Sequence, residues 1–149
     1  MTNRILRSAC EDVRIISDRT VSGALLPGTA VFVGASQLTQ AAAVSGGRLA
    51  LLGDRDFYGI SSATTDPLLT PYVSGETGLA YQLEPDMEVQ WAMAAATYTN
   101  GQELTVSASG RLAAAAAGNV VVAFFDQAGA AVAAGALCDV CIANFYTKA

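Results

Sequence analysis

Histidine is absent from this 149-residue sequence, which removes the commonest general base and metal ligand near neutral pH. Charge is scarce as well: 14% of residues are charged, against about 25% in an average soluble domain. So small a charged fraction implies either a small solvated surface or a surface partly covered by partners, as in obligate assemblies with large, comparatively apolar interfaces. The 8 basic residues against 13 acidic ones give a formal charge of −5. Phosphate-backbone binding needs a concentrated basic surface, so no nucleic-acid partner is expected. The longest uncharged apolar run, Leu112 to Phe125, contains Gly118 and Asn119 and is too short to span a bilayer as a helix. The first residues, from Met1 to Arg7, open like a basic leader, but Glu11, Asp12 and Arg14 interrupt it before an apolar core forms. A soluble, unexported chain with no membrane partner is expected.

Chemistry-bearing motifs are lacking too. No phosphate-binding loop, dinucleotide fingerprint, nucleophile elbow or zinc-hydrolase pattern occurs. Gly53-Asp54-Arg55-Asp56 gathers two carboxylates and a guanidinium in one turn, but nothing in the sequence completes a ligand set around them. Glu84, Asp86 and Glu88 alternate; on one extended face they would repel unless solvated, bound to a cation or paired with arginines of the N-terminal segment. The three cysteines cannot all pair within one chain. Cys138 and Cys141 form a C-x-x-C, yet they sit in a strand-like run where positions three apart face opposite ways. They read as small apolar side chains. No catalytic residue, metal, cofactor or small-molecule substrate is expected, and the chain is not expected to be an enzyme.

What is present is the rhythm of a β protein large enough for one domain with a real core. The strand candidates are Val13–Ile16, Thr29–Val33 after the turn Pro27-Gly28, Arg48–Leu52 after Gly46-Gly47, Phe57–Ile60, Met87–Met93, Glu103–Ser107 after Asn100-Gly101, Val120–Phe125 and Leu137–Ile142. The run Met87–Met93 is the clearest, because its large apolar groups, Trp91 among them, fall on alternate positions. Val120–Phe125 is apolar throughout, as expected of a strand covered on both sides by a core and a neighbouring subunit. The alanine runs 41–43 and 113–117 are too short and too uniform for an amphipathic helix, so tightly packed strand or loop is expected. Gly47-Arg48-Leu49-Ala50 recurs as Gly110-Arg111-Leu112-Ala113, consistent either with two related hairpin units or with chance in an Ala/Gly-rich chain.

Charge divides the chain. Residues 1–20 hold Arg4, Arg7, Arg14 and Arg19, half of the 8 basic residues, and from Asp56 to Gly110 no basic residue occurs. An all-β fold is expected, with a small β-barrel, β-tulip or sandwich body over 21–149. The same reading gives an extended N-terminal arm over 1–20 and a long loop excursion over 61–84, which is rich in Ser, Thr and Gly. Phe145 and Tyr146, near the last residue, are candidate intersubunit aromatics.

The segments Pro27–Val33, Tyr98–Val106, Gly110–Ala113 and Ala134–Val140 together resemble capsid decoration (cement) proteins of tailed bacteriophages. The likeness covers most of 20–143 in rhythm. It implies a homotrimer on the capsid exterior at three-fold and quasi-three-fold positions, with the major capsid protein as partner. The same likeness makes Arg4, Arg7 and Arg14 candidate capsid contacts and places Val121 and Phe125 at the trimer core. Removing residues 2–19 should then weaken capsid attachment and leave the body folded. A tail, baseplate or head-fibre component, or a carbohydrate-binding sandwich using Trp91, are the alternatives.

Overall fold

The computed structural model describes residues 4–8, 13–55 and 66–149. Its strands are β1 (Ile15–Val21), β2 (Ala30–Val33), β3 (Gln37–Gln40), β4 (Leu49–Leu52), β5 (Thr77–Gln82), β6 (Glu88–Ala92), β7 (Ala96–Tyr98), β8 (Glu103–Val106), β9 (Leu112–Ala114), β10 (Val120–Phe125), β11 (Ala130–Val132) and β12 (Leu137–Thr147). The first five close a barrel in the order β1-β3-β2-β4-β5, and β6-β12-β10-β8-β9 form an open sheet. Strands β11 and β7 pair separately. The fold is all-β, as the alternating patterns require, and the alanine runs are strand and loop. The candidate Phe57–Ile60 lies outside the described residues, as does Cys10.

Strand alternation explains how the two halves meet. On β2, β4 and β5, Val31, Ala50, Leu52 and Ala80 fill the barrel with Val21, Leu38 and Tyr72. Their neighbours Ala30, Leu51 and Tyr81 point the other way, into a core shared with Val89, Trp91, Leu104, Phe125 and Val140 of the sheet. Leu49–Leu52 is apolar at consecutive positions because both of its faces are covered. The same holds for β10, with one difference from expectation. Its outer face is covered by this chain itself: Val121 packs with Ala115, Ala143 and Phe124.

Two glycines hold the joint. Gly28 accepts a hydrogen bond from Ala92 N–H at 2.9 Å, and its φ of 81° suits glycine. Gly110 accepts one from Trp91 Nε1 at 3.0 Å. A β-carbon at Gly110 would stand 2.5 Å from Thr29 Cγ2 and 2.8 Å from Ala30 O, so no larger residue fits there.

The G-R-L-A recurrence has a structural counterpart. In the first copy Leu49 and Ala50 pair with Phe32 and Val31; in the second Leu112 and Ala113 pair with Val106 and Thr105. Both are antiparallel pairs in equivalent register, one in the barrel wall and the other at the sheet edge.

Two boundaries change. Residues 15–20, expected in an extended arm, belong to β1, which pairs with β3 and β5 to close the barrel. Ahead of it, Ile5 is fully buried and Leu6 nearly so. Ile5 O accepts from Gln90 N–H at 2.7 Å and Glu88 O from Arg7 N–H at 2.9 Å, so residues 5–8 cover the free edge of β6. The expected excursion over 61–84 ends at residue 76, because 77–82 is β5.

Candidate interaction surfaces

The joint between barrel and sheet leaves a cleft of about 480 Å³. Its walls come from the loop before β2 (Leu26, Pro27), the turn of 3-10 helix at Pro67–Leu69, and Ala92 and Leu137 from the sheet. The turn is capped by Asp66, whose Oδ1 accepts from Leu68 N–H at 3.0 Å. Within each Leu-Leu pair one side chain goes in and the other out: Leu25 and Leu68 are buried, whereas Leu26 is 44% and Leu69 73% exposed. Val73, further along the chain, is 61% exposed. Arg111 also lines the cleft. Its guanidinium lies against Gly135, 3.5 Å from where a β-carbon would be, and has no carboxylate partner among the described residues.

The second surface is the far end of β12. Phe145 is 41% and Tyr146 39% exposed. Tyr146 leans on Phe124 with ring centroids 6.3 Å apart, and its hydroxyl donates to Glu103 Oε1 at 2.6 Å. Lys148 Nζ meets the other carboxylate oxygen at 2.8 Å and donates to Ala115 O at 3.0 Å. Lys148 and Tyr146 together hold the Glu103 carboxyl below the usual carboxylate range. Their contribution is therefore present above the unfolded value of about 4.3 and lost as pH falls through the lower folded value. An NMR titration of the Glu103 carboxyl carbon is expected to find a midpoint below that of free glutamate, moving up toward it in Lys148→Met. A midpoint at the ordinary value in the wild type would contradict the clasp.

Sequence-identified residues fall in different places. Val121 and Phe125 are fully buried in their own chain, so neither is open to a neighbouring subunit; β10 is an interior strand between β12 and β8. Phe145 and Tyr146 are partly exposed. Arg4 and Arg14 are exposed, but Arg7 pairs with Asp139 of its own chain at 3.4 Å. The Glu84, Asp86, Glu88 series draws no arginine ion pair among the described residues; the arginine goes to Asp139 instead. Compared with known proteins, the sequence matches no family model and no curated protein.

The remaining candidates are parts of the frame. Trp91 is fully buried at the centre of the shared core, so it offers no ring for a sugar to stack on. At the acidic turn, Asp54 Oδ1 accepts from Ile5 N–H at 3.2 Å, and burial pushes its carboxyl up, opposed by that hydrogen bond. Arg55 Nε pairs with Glu76 at 3.0 Å. The Tyr72 hydroxyl donates to Asp54 O at 2.9 Å and burial pushes it up to about 12. These bonds lock the barrel floor to the N-terminal segment. Asp56 lies outside the described residues. Cys138 packs in the core beside Trp91 while Cys141 lies on the opposite face of β12, the divergence that strand spacing requires. Among the described residues, no three His, Cys, Asp or Glu side chains gather as a metal-binding group.

The cleft was not anticipated from the sequence. A signal for it exists in Leu25-Leu26-Pro27 and Pro67-Leu68-Leu69, where a proline-bound turn allows only one of two adjacent leucines to point inward.

Proposed function

We propose that this protein is a structural component of a virus particle. It binds the outer surface of the capsid at three-fold and quasi-three-fold positions, where it bridges and stabilises neighbouring capsomers of the major capsid protein. The observation that carries the reading is the presence of exposed apolar side chains at two places, Leu26 and Leu69 at the cleft and Phe145 and Tyr146 near the end of β12. Single exposed apolar residues are ordinary; grouped ones mark protein contacts. The low charge of 14% and the likeness in rhythm to phage decoration proteins point the same way. A multimer attached at several equivalent sites gains avidity without any strong single contact. Arg4 and Arg14, both exposed, remain the basic groups available to an acidic capsid surface.

The test is add-back. Capsids of the encoding virus, assembled without this chain, are mixed with the purified protein and sedimented. The expected result is saturable co-sedimentation at a fixed ratio to the major capsid protein, with a raised temperature of capsid disruption. A protein that stays in the supernatant at every ratio would sink the reading, and binding only to tails or baseplates would replace it.

A further inference from the structure

We propose that Asn100 is a deamidation site that the native fold keeps closed, so that the chain is altered there only when the turn leading into β8 comes away from β10. This holds whether or not the protein binds a capsid.

The turn itself creates the liability. Gln102 N–H donates to Thr99 O at 3.1 Å, and the third residue of that turn, Gly101, has a φ of 78°, which favours glycine. Of Asn3, Asn100, Asn119 and Asn144, only Asn100 is followed by glycine. Glycine carries no side chain to shield its nitrogen, and nothing stands within 4 Å of where a β-carbon of Gly101 would be. Both residues are exposed, so water reaches them. In the reaction the Gly101 nitrogen gives up its proton and bonds to Asn100 Cγ. The Cγ–Nδ2 bond breaks, and Nδ2 leaves as ammonia with that proton. Water then opens the cyclic imide at either carbonyl, giving aspartate or isoaspartate with one new negative charge and no change of oxidation state.

Hydrogen bonds hold both reacting groups back. Gly101 N–H donates to Phe125 O at 2.7 Å, and Phe125 is fully buried in β10. Asn100 Nδ2 donates to Gln127 O at 3.2 Å, which anchors the side-chain amide to the segment after β10. A third bond, from Thr99 N–H to Gln102 Oε1 at 3.0 Å, stiffens the turn. The Gly101 nitrogen becomes a nucleophile only after its bond to Phe125 breaks, so the rate follows the population of the opened turn. Conversion also removes the Nδ2 donor and sets a carboxylate opposite the Gln127 carbonyl, so an altered chain closes less well.

The test compares the full chain, native and unfolded in urea, incubated side by side at mildly alkaline pH. Both samples are digested, and the peptides holding Asn100, Asn119 and Asn144 are followed by mass spectrometry. Asn100 is expected to convert in urea at least about tenfold faster than in the native protein, the order that breaking two hydrogen bonds implies, while Asn119 and Asn144 lag behind it in urea. Gln102→Ala, which removes only the Oε1 acceptor of the turn, is expected to raise the native rate about threefold with little change in melting temperature. That second readout separates local opening of the turn from unfolding of the whole domain. Conversion of Asn100 in the native wild type as fast as in urea would show that the fold does not guard it. An Asn100 that stays intact in urea, or converts no faster there than Asn119 and Asn144, would show that it is not a site at all, and either result overturns the inference.

Discussion

Deleting residues 2–19 is expected to abolish cooperative folding, not merely to shorten a tail. The deletion takes most of β1, the strand that joins β3 to β5 and closes the barrel. Without it both neighbours become open edges with unpaired backbone groups. It also takes Ile5 and Leu6, fully and nearly fully buried in the shared core. Losing a single buried Leu or Ile side chain costs about 2–5 kcal/mol, and whole domains are stable by only about 5–15 kcal/mol. Two such losses together with an opened barrel exceed what a small domain holds in reserve. Circular dichroism on heating is expected to show no cooperative transition for the truncated chain. A melt resembling that of the wild type would mean that the N-terminal segment is an appendage after all.

Trp91→Ala is the largest expected effect of a single substitution. Trp91 is fully buried, and removing so large a core side chain costs about 4 kcal/mol. Its indole N–H also donates to Gly110 O at 3.0 Å, so the variant strands a buried carbonyl at the joint of barrel and sheet. Trp91→Phe keeps most of the volume and loses only the hydrogen bond, and is expected to cost about 1–3 kcal/mol. Urea unfolding separates the two, the midpoint falling much further for alanine than for phenylalanine. Equal midpoints for Trp91→Ala and the wild type would contradict the placement of Trp91 in a core shared by both halves.

Much of the fold was legible because strand alternation writes burial into sequence. Val120–Phe125 is found with the bounds read from its composition, and Glu88–Ala92 falls within the run Met87–Met93. The strands that went unread are those whose pattern is weak: Gln37–Gln40 carries one buried residue, Leu38, and Ala96–Tyr98 only Tyr98. Thr77–Gln82 lay hidden because Gly78, whose added β-carbon would stand 2.5 Å from Val21 Cγ2, looks like a turn residue and is instead a site of close packing. The N-terminal segment misled for a different reason. Its charges are visible at a glance, whereas the burial of Ile5 depends on contacts 49 and more residues away, such as Asp54. The surfaces were less legible than the fold. Phe145 and Tyr146 stood out as aromatics near the last residue. Val121 and Phe125 did not separate from them in composition, because an interior strand and an interface strand have the same apolar content. The cleft arises from loops distant in sequence, and no local pattern encodes it.

The most direct measurement for the proposed role, attachment to the outside of a capsid, is a reconstruction of the particle that the role implies, with and without this chain. Expected is a multimer of this fold outside the shell at three-fold and quasi-three-fold positions, spanning neighbouring capsomers, and bare positions in the particle that lacks it. Density for this chain in the tail, or identical shells from both particles, would contradict it.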